Sequence, residues 1–106
     1  MKDLDIAKIS QLTGYDLELL SDKLPFDSTT PLAVCKDNET DTIVVLAKIN
    51  EPSSINFGLV LTCFANTEAK VVIWVCEHAT PEHFRMVDKL NDLTSDEYSF
   101  HLVVIP

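Results

Sequence analysis

Val71-Val72-Ile73-Trp74-Val75-Cys76 is a continuous apolar run. Such a run reads as a central strand covered on both faces, the kind found in α/β sheets. Beyond it, Thr80-Pro81-Glu82 supplies a capping residue, a proline at the first helical position and an acid in the first turn, which predicts a helix start. That helix continues through Phe84, Val87, Leu90 and Leu93, expected as the stripe of one face, until Ser95 to Glu97 break it. Phe100-His101-Leu102-Val103-Val104-Ile105 then reads as a last strand. On the other side of the central run, Ile55 to Ala65 is apolar nearly all round. It predicts a helix buried against a sheet face, with Ser53 or Ser54 as its cap after Glu51-Pro52.

Further out, Thr42 to Ile49 is a β-branched run. The polar stretch Asp37 to Asp41 separates it from the short apolar strand Leu32 to Cys35, so the two read as a hairpin. Pro25 to Pro31 is a loop of Pro, Asp, Ser and Thr. Asp16 to Lys23 suits a short, half-exposed strand. Asp3 to Thr13 carries Leu4, Ile6, Ile9 and Leu12 at near-helical spacing, with Gly14 as a stop. The order is helix, three strands, helix, strand, helix, strand. It predicts an α/β domain with a mixed sheet and helices on both faces, filling residues 1–106 as one unit.

The 106 residues carry 17 Asp plus Glu against 8 Lys plus Arg, a formal charge of −9. That excess argues against non-specific nucleic-acid binding, which needs cations to displace phosphate counterions. It equally disfavours an anionic membrane surface. With 46% hydrophobic residues the chain is expected to form a real core rather than stay disordered. Met1-Lys2-Asp3-Leu4-Asp5 lacks the apolar run of a signal peptide, and no apolar stretch reaches the ~18–20 residues of a membrane span. Cys35, Cys63 and Cys76 are widely spaced, odd in number and set in apolar runs, so free thiols and a cytoplasmic location are expected.

From about Leu17 to Ile105 the chain resembles a group of bacterial nuclease-like proteins of the PD-(D/E)XK, or restriction-endonuclease-like, superfamily. The segments that carry the likeness are Ala33-Val34-Cys35-Lys36-Asp37, Val44-Val45-Leu46-Ala47-Lys48-Ile49-Asn50, Gly58-Leu59-Val60-Leu61-Thr62-Cys63-Phe64-Ala65 and Val72-Ile73-Trp74-Val75-Cys76. Glu82-His83 and Leu90-Asn91-Asp92-Leu93-Thr94 follow. The resemblance implies an α-β-β-β-α-β-α-β three-layer sandwich. It also implies an Asp on the second strand and a Glu on the third to hold a divalent metal, with a Lys or Gln two residues beyond the Glu. Hard oxygen ligands are what Mg²⁺ requires to activate water against a phosphodiester. Here the Asp position falls on Leu32 and the Glu position on Leu46, and Lys48 alone keeps the expected type. The Gln that follows the helix glycine has become Leu59. Between Thr42 and Thr67 the sole acid is Glu51. The resemblance therefore implies a nuclease fold without its chemistry: no catalytic residues, no metal and no cofactor.

Other constellations have competing readings. Asp37, Asn38, Glu39 and Asp41 are a solvated hairpin turn or a Ca²⁺ loop, though the Gly and distal Glu of an EF-hand are missing. Lys48 with Asn50 and Glu51 is a strand terminus or a relocated active site. Cys76, Glu77, His78 and His83 lie close in sequence but lack the paired spacing of a zinc site. Trp74 is read as core packing, and His101, alternating with Phe100 and Leu102, as facing solvent from an edge strand. No Ser-His-Asp or Cys-His arrangement is present, and two glycines make no phosphate-cradling loop. Three functions remain open. The first is a non-catalytic domain acting through protein–protein contact, with a homodimer sheltering the apolar strand Phe100 to Ile105 as one form of it. The second is a residual metal-dependent phosphodiesterase with carboxylates displaced towards Lys48. The third is an acidic inhibitor or immunity-type partner protein.

Overall fold

The computed structural model describes residues 5–21, 32–49 and 54–105, with backbone alone at 32, 49, 54–57, 59 and 63. The elements are α1 (Ile6–Thr13), β1 (Leu17–Ser21), β2 (Leu32–Asp37), β3 (Thr42–Ile49), α2 (Ser54–Ala65), β4 (Val71–Cys76), α3 (Pro81–Leu93) and β5 (Ser99–Val104). The five strands form one open sheet in the order β1-β2-β3-β4-β5. Neighbours β1, β2 and β3 are antiparallel, whereas β3, β4 and β5 are parallel. The expected α/β class, mixed sheet and element order are all present. The Pro25 to Pro31 loop, the Ser53 cap, Asn50 and Glu51 lie outside the described residues.

The layering follows from connection rules. Both β-α-β units step the same way across the sheet, and right-handed crossovers then place α2 and α3 on one face. On that face Val45, Ala47, Val72, Trp74 and Phe100 bury against Val60 of α2 and Val87 of α3. The opposite face carries Ala33, Cys35, Val44, Leu46, Ile73 and Val75 under Ile9 of α1. All six residues of β4 are buried, as a strand between two covered faces must be.

Local signals set most boundaries. Asp5 accepts from the Lys8 N–H at 3.1 Å and so caps α1, which starts at Ile6, two residues after the apolar pattern begins at Leu4. Gly14 ends it in the left-handed region at φ 83°, its N–H donating to the Ser10 carbonyl. Strand β2 runs on to Asp37, two residues past the apolar segment, because its pairing with β3 continues to Asp37 opposite Thr42. Asp41, at φ 60°, closes the turn, a conformation that Asp tolerates better than most residues.

Two expectations about side chains are corrected. Phe84 and Leu93 are 42% and 72% exposed, while Val87 between them is buried. Three residues turn a helix by about 300°, so an i, i+3, i+6, i+9 stripe drifts by about 60° a step and leaves the core face. The inward face is instead half-buried His83, Met86 and Leu90 around Val87. Helix α2 meets the sheet through enclosed Val60, as expected, and leaves Gly58, Thr62 and Ala65 exposed. His101 does not point to solvent. Its register opposite Ile73 puts it on the α1 face, half-buried beneath Tyr15.

Candidate functional site

The three positions singled out by the resemblance lie within one register step of one another in the sheet, with Leu32 opposite Ala47, between Leu46 and Lys48. Leu46 is fully buried in the apolar layer beneath α1. The residue paired directly opposite it is Ala33, whereas Leu32 pairs with Ala47, one register step away. Lys48 is half-buried at the far end of β3, opposite Val75. Asp37 and Asp41 lie at the other end of the β2–β3 hairpin. Six residues of strand, about 20 Å, separate them from Lys48.

The acidic turn has a structural job that its composition hides. Asp37 is 2% exposed. Its Oδ1 accepts from the Asp16 and Glu39 N–H groups at 3.1 and 3.2 Å, and Oδ2 from the Thr40 hydroxyl at 3.0 Å. The Asn38 N–H returns a bond to the Asp16 carbonyl at 2.9 Å. A buried carboxylate is tolerable when donors surround it in this way. Here they tie the α1–β1 junction to the hairpin, and Asn38, Glu39 and Asp41 stay exposed.

The Cys76 to His83 cluster does not converge either. Cys76 is buried, with its sulfur 3.9 Å from the Val103 carbonyl. The His83 Nδ1 is 3.1 Å from the Thr80 N–H, so the ring reaches back to cap its own helix. Among the described residues no group of three or more His, Cys, Asp or Glu is placed to hold a metal. Burial pushes the Cys35 thiol up to about 11 and raises that of Cys76 as well. Both are protonated, poor nucleophiles at neutral pH. Trp74 is fully buried and stacks on Phe100 with ring centroids 6.2 Å apart.

What the fold does build is a groove along β5. It encloses about 410 Å³. Phe100, His101, Leu102 and Val103 form the floor, Leu12 and Thr13 of α1 one wall, and Phe84, Asp88 and Asn91 of α3 the other. Leu12 is 54% exposed and Phe84 42%. The strand beneath them is an outer strand of the sheet, and Ser99-Phe100-His101-Leu102-Val103-Val104 contains no Lys, Arg, Asp or Glu. In a parallel ladder alternate residues direct both backbone groups to the same side. Ser99 and Ile105 donate to the Lys70 and Cys76 carbonyls of the β4 side, which turns Phe100, Leu102 and Val104 outward.

Asn91 covers the first of these. Its Oδ1 accepts from the Phe100 N–H and its Nδ2 donates to the Phe100 carbonyl, each at 2.8 Å. One amide thereby replaces the rung of a missing strand. Among the described residues the outward groups of Leu102 and Val104 have no such partner. His101 sits on the other side of the strand with its Nε2 2.9 Å from the Tyr15 hydroxyl, the rings edge to face. Burial lowers the His101 pKa and raises that of Tyr15.

Exposed acids are spread over several elements: Glu18 on β1, Glu39 and Asp41 in the hairpin, and Glu82, Asp88 and Asp92 on α3. On α3 they alternate with Arg85 and Lys89. Among the described residues no helix is long and apolar enough to cross a membrane. Comparison of the chain with protein-family models, with curated proteins and with solved structures found no match.

Proposed function

We propose that this chain is a non-catalytic domain of restriction-endonuclease-like fold that works through protein–protein contact at the β5 edge. The observation that carries this reading is the groove along β5: an uncharged outer strand with two outward-facing residues, walled by exposed Leu12 and Phe84. Exposed apolar surface beside an open strand edge is characteristic of sites that add a strand from another chain. The α-β-β-β-α-β-α-β order and the division of helices between the two faces support the nuclease-like layering. Leucine at position 46, sealed in apolar packing, supports a fold kept after its chemistry was lost.

A photo-crosslinking residue placed at position 104 of the full chain in its native cell tests the contact. Position 20 on the opposite edge serves as control. Protein adducts at 104 and none at 20 are expected. Adducts at 20 alone, or at neither position, overturn the reading. The non-catalytic half is checked with purified protein, DNA, and Mg²⁺ or Mn²⁺. No cleavage is expected, and metal-dependent cleavage abolished by Lys48→Ala would reverse it.

A further inference from the structure

We infer that the β5 groove receives an extended segment of a different protein, one that sets a Lys or Arg beside Asp88 and apolar side chains against Leu12 and Phe84. This rests on the contact reading above and states the chemistry of its partner.

The geometry of α3 gives the groove a graded wall. Helix α3 joins the parallel strands β4 and β5 and so runs antiparallel to them. Asn91 fixes the level of helix against strand, because its amide holds both backbone groups of Phe100. Three residues back along the helix is about 4.5 Å, and seven residues about 10.5 Å. Two residues forward along the strand is about 6.6 Å, and three about 10 Å. Asp88 therefore stands near Leu102, and Phe84 near Val103 and Val104. On the other side of the strand, Leu12 and Thr13 of α1 line the groove beside His101 and Val103.

Charge selects the occupant. Asp88 is the sole charged residue in the groove lining. Among the described residues its carboxylate has neither an ion pair nor a hydrogen bond. Arg85, the nearest cation along the helix on the N-terminal side, is held by Glu82 at 3.1 Å. Lys89 lies about 100° round the helix from Asp88, whereas exposed Asp92, one turn on, adds a second acid to the same side. The chain as a whole carries −9, a field that draws cationic segments and repels a second copy.

Strand pairing then fixes which partner residue meets which wall. Leu102 and Val104 are the outward residues of β5 that lack partners among the described residues. Directly opposed residues of neighbouring strands project to the same face. Leu102 packs on the α3 face and Val103 on the α1 face. The partner residue opposite Leu102 thus meets Asp88, the one opposite Val103 meets Leu12, and the one opposite Val104 meets Phe84. Read along β5, the complementary pattern is basic, apolar, apolar. Asn91 stops the pairing short of Phe100.

The test uses the purified full chain and short fluorescein-labelled peptides, with binding read by fluorescence anisotropy. Ser-Thr-Lys-Val-Val-Thr-Ser offers the pattern to parallel addition, and its reverse, Ser-Thr-Val-Val-Lys-Thr-Ser, to antiparallel addition. One of them should bind, and Glu in place of its Lys should weaken binding about fivefold or more at low salt. Asp88→Lys should abolish that preference. Glu18→Lys, which alters the net charge equally on the other edge, should keep it. N-methylating the peptide amides one at a time should block binding at alternate positions only, because every second N–H faces β5. Val104→Pro removes an outward N–H at a site 37% exposed and should weaken binding about tenfold. A preference that survives Asp88→Lys, or N-methyl effects without alternation, overturns the inference. So does failure of both peptides to bind. If they fail while protein adducts form at position 104 in cells, the contact reading stands and the stated chemistry falls.

Discussion

The two outer strands of the sheet are built on opposite plans. Strand β1 has five residues, carries Glu18, and loses register with β2 between Leu19 and Ser21, where one extra residue forms a bulge. Charge, brevity and a bulge are the devices by which natural edges discourage pairing. Strand β5 has six residues in unbroken register with β4 and no charge at all. Its only guard among the described residues is Asn91, which covers Phe100 and stops there. Both edges show apolar side chains to solvent, Leu19 and Leu20 on one and Val104 on the other. Exposed apolar side chains therefore do not tell the two edges apart. The backbone beside them does, broken by a bulge on β1 and unbroken on β5.

The sharpest way to break this contrast after the edge variants is at the polar anchors of each side. Asp37→Ala should be the more costly. It strips three donors of one buried acceptor and unties β1's entry from the hairpin, a loss of about 1–3 kcal/mol in chemical denaturation. Asn91→Ala removes two bonds to a strand that water can reach, and about 1 kcal/mol is expected. For a chain of this size each kcal/mol lowers Tm by about 4–8 °C. An Asn91→Ala loss larger than that of Asp37→Ala would reverse the ranking and make the β5 cap the main structural anchor.

The smallest effect concerns pH. Burial holds the His101 pKa below its ordinary value, so between that folded value and about 6.5 the unfolded chain binds more protons. The stability contributed by the neutral ring is complete above about 6.5 and is lost as pH falls towards the folded value. Thermal melts between neutral and mildly acidic pH should show a shallow decline that His101→Asn flattens relative to wild type. A decline of equal slope in the variant would assign it to other groups.

Much of the fold was legible because its signals are local. Val71 to Cys76 and Thr42 to Ile49 announce strands by composition, Thr80-Pro81 a helix start, and Gly14 a stop. The α3 stripe departs from expectation because a period of 3 is not the 3.6 of an α-helix. What escaped is what depends on partners distant in sequence. The burial of Asp37 needs the Asp16 N–H, and the inward turn of His101 needs Tyr15, eighty-six residues away. Neither residue type foretells such a partner. Of the candidate site, the strand Phe100 to Ile105 was legible as an apolar edge. The hand that Asn91 lays on Phe100 was not, since an Asn on a helix otherwise reads as solvated surface.

The inequality of the two edges also bears on how far assembly can go. A sheet that can add strands at both ends polymerises, because every added copy presents a fresh end. This sheet is blunted at β1, by Glu18 and the Leu19–Ser21 bulge, and unblunted at β5. On the contact reading proposed above, an added strand has one end to join and not two. The bulge, unremarkable in a single chain, would then be what keeps strand addition from propagating through the sheet.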